Sequence, residues 1–427
     1  MAKKLLITRQ ALSQELRALA GVPVYKEHAD QTPVSYWITA FYEDDVLSDL
    51  SCIPADAPSM LGNIYIGKVF NIVKNLNAAF IRLTPEGGQG YYSMEKLKNP
   101  IFTKKIGKKA LCIGDELLVQ VEKEAMKTKD PYLSTNLNFT GNYLVLTTEN
   151  TKLGISSKLE PEVRTHFREL LKERKKDEYG LIVRTNAKNA ADSKILQELE
   201  SLEQEFMHMK ETAIHKTCYS LIYQPEHGFL KTLQDTDFAS LTEIVTDDAK
   251  AYHAITSYYE KNKNFDGDIR FYEDAMLPLF KLYSLERELR DALRERVWLK
   301  SGAYLIIQPT EALTVIDVNS GKNVAKKSAF DNFKKINLEA AKEIARQLRL
   351  RNISGICIVD FINMENEEAN AELMHAFRME LKKDPVPVQL IDITKLGLVE
   401  LTRKKVKKTL REQINLISFR MKIDKRL

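Results

Sequence analysis

Towards its C-terminal end the chain alternates short apolar runs with stretches of helical periodicity. "AYLIIQP", "ALTVIDVN", "GICIVDFI" and "VPVQLID" read as strands, with a helix following the second and another following the third. In the first of these helices Leu338, Ala341, Ile344, Ala345 and Leu348 form one apolar stripe, while Lys342, Arg346 and Arg349 fall largely on other faces. Asn337 reads as its N-cap, and "RNISG", with Asn352 and Gly355, as its stop. Strand, helix and strand in that order make a crossover unit, which calls for parallel strands and a right-handed connection. Residues 296–412 therefore read as an α/β unit with a parallel sheet core.

Upstream the period shortens. "NIYIGKVFNIV", "AAFIRL", "GQGYYSM", "DELLVQVEKEA" and "LSTNLNF" are short strand-like runs with Gly87, Gly88 and Gly90 among them, the pattern of a small barrel of the OB type over 61–140. "NYLVLTT" and "GLIVRT" bracket the charged helical stretch "PEVRTHFRELLKERKKDE", and 192–220 read as one long polar helix. A mixed segment from 225 ends in the charged helix "LYSLERELRDALRER". The first 60 residues combine an amphipathic helix near Gln10–Ala20 with strand-like "VSYWITAFYEDDVLSDL", and "CIPADAPSMLGN" reads as a linker.

Composition sharpens this picture in three ways. With 427 residues, 44% hydrophobic and 29% charged, the chain has material for about three globular domains. It has no apolar run of ~18 residues, so no membrane span is expected, and its N-terminus lacks the apolar core of a secretory signal. Cys52, Cys112, Cys218 and Cys357 stand singly, which points to reduced thiols in the cytoplasm and away from disulfides or zinc. The net charge of +5 hides an asymmetry: ten Lys and Arg in 401–427 face only Glu412 and Asp424, so the rest of the chain is net acidic. One such run alone is best read as a solvated helix face; beside a carboxylate metal site, a polyanionic substrate becomes the better reading.

Such a site is written into the crossover unit. Asp317 ends the run "LTVID" and Asp360 the run "ICIVD", on strands that should finish at one edge of the sheet. Either aspartate alone is best explained as capping a turn. Together, on neighbouring strands ~4.8 Å apart, they can share a divalent cation. Period-two alternation adds Asn319 on the side of Asp317. Two carboxylates and an amide suit magnesium or manganese. "NSGKN" lacks the frame of a phosphate-binding P-loop.

At these residues the chain resembles the RNase E/G endoribonucleases. "EALTVIDVNSGK", "NLEAAKEIARQLRLRNISGICIVDFINM" and "LGLVELTRKK" carry the resemblance, and "GNIYIGKV", "AAFIRL", "GNYLVL", "GISSKL" and "GLIVRT" match upstream in the family's order. The likeness runs from about 61 to about 410 and is weaker over 190–270. It implies magnesium-dependent hydrolysis of single-stranded RNA in RNA processing and decay, with preference for a 5′-monophosphate end. Asp317 and Asp360 would hold the metal and Asn319 would help orient the attacking water. Phe80, Tyr91 and Lys129 would grip RNA on the barrel, although both rings read equally well as barrel core from the residues alone, and a lone lysine reads as solvated. Arg184 and Thr185, with Gly141 and Val145 beside them, would bind the 5′-phosphate; by pattern alone Arg184 is better explained as pairing with a nearby carboxylate. The resemblance also implies an RNase H-like subdomain formed by 1–60 with 213–295, a 5′-sensor region over 141–212, a DNase I-like catalytic domain over 296–412 and a basic tail over 413–427.

Two features depart from the family. After "LTRKK" there is no CPxC element, so the zinc-linked dimer of longer members is not expected, although a homodimer stays open. The barrel carries an extra basic loop, "KNPIFTKKIGKK", read here as a solvated excursion more than as a source of phosphate contacts. A non-catalytic RNA-binding or assembly factor is the main competing function; the intact aspartate pair with Asn319 argues against it. A phosphodiesterase of small nucleotides would leave the barrel and the basic tail without a role.

Overall fold

The structure, a computed structural model, describes residues 3–22, 34–55, 59–96, 99–107, 110–125, 130–226, 228–236, 241–262, 265–321, 329–364 and 366–423. It divides into two compact units, one of residues 1–57, 241–253 and 267–427 and the other of 58–240 and 254–266.

The first unit holds two sheets. One has five strands in the order Asp268–Phe271, Leu241–Thr246, Lys3–Ala11, Ser35–Glu43, Val46–Pro54. "VSYWITAFYEDDVLSDL" is thus a hairpin, not one strand. It reverses at Asp44 and Asp45, both with positive φ (46° and 63°), which Asp tolerates and which matches the twist of a tight hairpin. The other sheet has six strands, in the order Arg296–Trp298, Tyr304–Pro309, Leu313–Asn319, Gly355–Asp360, Val399–Arg403, Val388–Ile393. Among the described residues only its central pair, Leu313–Asn319 with Gly355–Asp360, runs parallel; the other pairings are antiparallel. The expected crossover is present, but the parallel core is confined to it. "LGLVELTR" supplies a strand that slots between Gly355–Asp360 and Val388–Ile393.

One face of this sheet is covered by the helices Ala329–Leu350 and Glu367–Leu381. Leu305, Ile307, Ile316, Val318, Cys357, Val359, Val399 and Leu401 meet Ile336, Ala340, Ala341, Ile344, Leu348 and Phe377 there. The stripe expected from spacing is buried, apart from Leu338, which is half-buried. The helix stops where expected: Asn352 turns left-handed (φ 49°) and Gly355 follows at φ 90°. Its start is not where expected, since Ala329–Leu350 begins well before Asn337.

The basic C-terminal run divides. Arg403 is 2% exposed, donating to Asp384 at 2.8 Å and to the side chain of Asn352 and the carbonyl of Ile353. It is a structural ion pair. Lys404, Lys405, Lys407 and Lys408 are exposed, and Leu410–Ile423 is a helix anchored by Leu410, Ile414 and Ile417.

In the second unit the strands Ile64–Val73, Ala78–Arg82, Gln89–Ser93, Tyr132–Ser134 and Glu116–Lys123 pair in that order, and Ile64–Val73 pairs with Glu116–Lys123 to close a five-stranded barrel. The last expected run, "LSTNLNF", splits. Its first part closes the barrel, while Asn138–Thr140 joins a separate four-stranded sheet with Leu144–Thr147, Gly180–Val183 and Leu153–Ile155. The helix Asp192–His215 packs on that sheet through Ile195, Leu199, Leu202 and Phe206.

Candidate active site

The sheet's alternation sets the site. In Leu313–Asn319, Thr314, Ile316 and Val318 are buried, which leaves Val315, Asp317 and Asn319 on the face away from the helices. In Gly355–Asp360, Cys357 and Val359 are fully buried and Asp360 is exposed on that same face. The parallel register pairs Asp317 with Asp360 directly. One residue of slip in either strand would turn its aspartate into the apolar layer, where an unpaired carboxylate is strongly disfavoured. Asn319 Nδ2 donates to Asp317 Oδ2 at 2.7 Å. Among the described residues, neither aspartate has a Lys or Arg partner, and no three His, Cys, Asp or Glu side chains form a metal-holding cluster. The described donor set is two carboxylates and the Asn319 amide.

The backbone around the pair is held from below. Asn337, fully buried, donates from Nδ2 to the Ile362 carbonyl at 2.7 Å and accepts from the Ile362 N–H at 3.1 Å. Its amide is spent on the segment after Asp360 and not on a helix end. After Asn319 the chain turns at Gly321 (φ 66°), where a Cβ would sit 2.6 Å from the Gly302 carbonyl. Only glycine fits that approach.

On the barrel, alternation also separates core from surface. Ala79, Ile81, Tyr92 and Leu133 are buried, so Phe80, Tyr91 and Tyr132 point outward, each half-buried. These three lie in one row across adjacent strands. Phe80 meets Tyr91 edge-on at 6.0 Å between centroids, Tyr91 and Tyr132 are 5.6 Å apart, and Lys123 Nζ lies 5.5 Å from the Tyr132 ring. The reading of Phe80 and Tyr91 as barrel core falls. Tyr132 was missed, although its place beside inward Leu133 follows from the same period-two rule. Lys129 lies outside the described residues.

The extra loop is partly structure. Phe102–Lys104 pairs with Glu116–Lys123, and Lys105 Nζ contacts the fully buried Asp115 at 2.5 Å. Asp115 also accepts from the N–H groups of Ile106 and Cys112, both at 2.7 Å. Burial alone would raise this carboxyl's pKa; Lys105 and the two N–H groups outweigh it and hold the pKa below the usual range.

Gly141, Val145, Arg184 and Thr185 come together around the four-stranded sheet. Arg184 donates through Nη1 to the Gly141 carbonyl, and its N–H donates to the Tyr143 carbonyl at 2.7 Å. Val145 stands opposite Ile182. Thr185 is exposed and its hydroxyl lies 2.9 Å from that of Ser156. Arg184 also has a carboxylate partner, donating from Nη2 to Asp235 Oδ1 at 2.8 Å. The Gly141 turn is capped by Glu198, whose carboxylate accepts from the N–H groups of Asn142, Tyr143 and Leu144. A Cβ at Gly141 would strike that carboxylate. Burial raises the Glu198 pKa despite the three donors. The recess beside Gly141 is lined by Glu198, Glu205 and Glu226, the wrong sign for phosphate.

Residues 138–406 match the model of the ribonuclease E/G family. The chain is 32% identical over 375 residues to ribonuclease E of Nostoc sp. strain PCC 7120, covering 86% of this chain and 54% of that one. It is 28% identical over 382 residues to ribonuclease G of Escherichia coli K12, covering 87% and 78%. Against a ribonuclease E/G-like protein of Pyropia yezoensis it is 32% identical over 371 residues, covering 85% and 72%. The chain spans about half the length of the cyanobacterial ribonuclease E relatives it matches. No helix among the described residues is long and apolar enough to cross a membrane. On the extent of the family match and the relatives' identity, the chain belongs to the ribonuclease E/G family.

Proposed function

We propose that the protein is a metal-dependent endoribonuclease that hydrolyses single-stranded RNA in RNA processing and decay in the cytoplasm. The observation that carries this reading is the direct pairing of Asp317 with Asp360 on parallel strands, with Asn319 bonded to the first. Asp317 and Asp360 would hold a divalent cation, magnesium with manganese as the alternative; two carboxylates with an amide are a hard oxygen set that leaves positions for water and phosphate. Such a cation, when bound, supplies positive charge against the oxygens of the scissile phosphate and makes nearby water more acidic.

The chain's own residues do the rest. Asn319, with its amide N–H committed to Asp317, keeps its carbonyl oxygen to accept from the attacking water and so orient it. Phe80 and Tyr91, joined by Tyr132, offer outward rings for unpaired bases, and Lys129 adds a phosphate contact. Arg184 and Thr185, with Gly141 and Val145 beside them, would read a 5′-monophosphate outside the acidic recess of Glu198, Glu205 and Glu226. The Asp235 partner of Arg184 then sets a threshold, since phosphate must compete with a carboxylate already in place. In this reading the six-stranded sheet with its helices is the DNase I-like catalytic part, and the five-stranded sheet belongs to an RNase H-like part.

The test is cleavage of a 5′-monophosphorylated oligoribonucleotide in magnesium by the intact protein and by Asp317→Asn and Asp360→Asn. Loss of cutting in both variants, with folding retained, is expected; near wild-type cutting in either removes the assignment.

A further inference from the structure

The face of the six-stranded sheet that carries Asp317 also carries an aromatic pair on the next two strands, half-buried Tyr304 and exposed Trp298. Trp298 pairs with Tyr304, and Tyr304 pairs in turn with Asn319, so the three form a row across adjacent strands. In the next row Arg296 pairs with Ile306, Ile306 with Asp317, and Asp317 with Asp360. Directly paired residues point to one side of a sheet, so the rings and the carboxylates share a face.

The details are those of a stacking platform. Trp298 is 64% exposed. Its ring centroid is 5.2 Å from that of Tyr304, at 59° between planes. The Arg296 guanidinium carbon lies 4.7 Å from the Tyr304 ring and 5.7 Å from the Trp298 ring. Among the described residues Arg296 has no carboxylate partner. A cross-strand pair that only stabilised the sheet would gain most by burying the indole. Here the largest side chain is left in water, two strands from Asp317 and three from Asp360, with an uncompensated cation against it.

We propose that Arg296, Trp298 and Tyr304 form a binding subsite for the unpaired nucleobase next to the scissile phosphate. The base stacks on Trp298, and Arg296 faces the phosphate that follows it. Stacking on an aromatic face tolerates every base, whereas a helical stem keeps its bases inward and presents no free face. The subsite would therefore favour unpaired RNA at the cut itself, in addition to any grip on the barrel. This inference rests on the endoribonuclease reading.

The chain has two tryptophans, and the other, Trp37, is 8% exposed. In a Trp37→Phe background carrying Asp317→Asn, Trp298 fluorescence should be quenched saturably by a short single-stranded oligoribonucleotide. In the otherwise intact enzyme Trp298→Ala should raise KM on the order of tenfold, and Trp298→Phe should restore most of the loss. On a substrate lacking the base beside the cut, Trp298→Ala and the parent should have the same KM. Unchanged KM in Trp298→Ala, or absence of quenching, would overturn the subsite while leaving an Asp317-dependent nuclease standing. No cleavage by the parent protein would overturn the nuclease reading itself, and the subsite with it.

Discussion

Asn337 holds Ile362 through both edges of its amide, Nδ2 to the carbonyl at 2.7 Å and Oδ1 from the N–H at 3.1 Å, in a position with no solvent exposure. Ile362 lies two residues beyond Asp360, so a helix residue that touches nothing catalytic fixes where the second aspartate's strand ends. Asn337→Leu strands both backbone groups of Ile362 at once. The expected cost is about 2–6 kcal/mol in chemical denaturation, from about one to three for each of the two groups left unpaired. Cleavage should fall with it, and Asn337→Asp should recover only the N–H half of the clamp.

The outward row of rings predicts a loss of RNA affinity for each ring removed. Phe80→Ala, Tyr91→Ala and Tyr132→Ala should each weaken binding of single-stranded RNA by about 1–3 kcal/mol, measured by titration at fixed salt. Phe80→Tyr should cost little, because the face that stacks is kept. Tyr92→Ala is the contrast: its ring is fully buried, so it should lower barrel stability as well as affinity.

How much of this was legible beforehand follows from what each residue depends on. The aspartate pair could be read because the strand ends and the crossover rule are local and together bring both carboxylates to one edge of the sheet; the shared face came with the register. The antiparallel strands around them could not, since the insertion of Val399–Arg403 beside Gly355–Asp360 depends on pairing between segments distant in sequence. Arg403 read as one member of a basic run facing a polyanion because nothing local reveals Asp384 opposite it. Asn337 sits just before the apolar stripe, which imitates an N-cap; only the bonds to Ile362 tell the two roles apart. The row that joins Tyr132 to Tyr91 and the Arg296–Trp298–Tyr304 platform needed the strand register, not the strands alone.

Arg184 is shared between the Gly141 carbonyl and Asp235, and that sharing is testable. Arg184→Ala should erase any advantage of a 5′-monophosphate over a 5′-hydroxyl end, measured as the ratio of kcat/KM values. Asp235→Asn removes the competing charge and should widen that ratio several-fold. Gly141→Ala should damage the region differently, through collision with Glu198, and appear as lost stability.

Asp115 makes the barrel acid-sensitive. Its folded pKa lies below the unfolded value of about 3.9, so the ionised form is the one folding favours. The stabilisation is fully present above that unfolded value and is lost as pH falls through the folded pKa. Asp115→Asn should cost about 2–3 kcal/mol at neutral pH, with the difference from the parent shrinking below about pH 4 in a denaturation series.

The central claim is that Asp317 and Asp360, paired in register, carry the hydrolysis. The most direct measurement is single-turnover cleavage of a 5′-monophosphorylated single-stranded RNA in magnesium by the parent, Asp317→Asn and Asp360→Asn, each shown to be folded by circular dichroism and to bind RNA. Both variants should keep RNA affinity and lose cleavage by about three orders of magnitude, equivalent to ~4 kcal/mol of transition-state stabilisation. A folded variant at either position that still cuts within a few-fold of the parent would contradict the account.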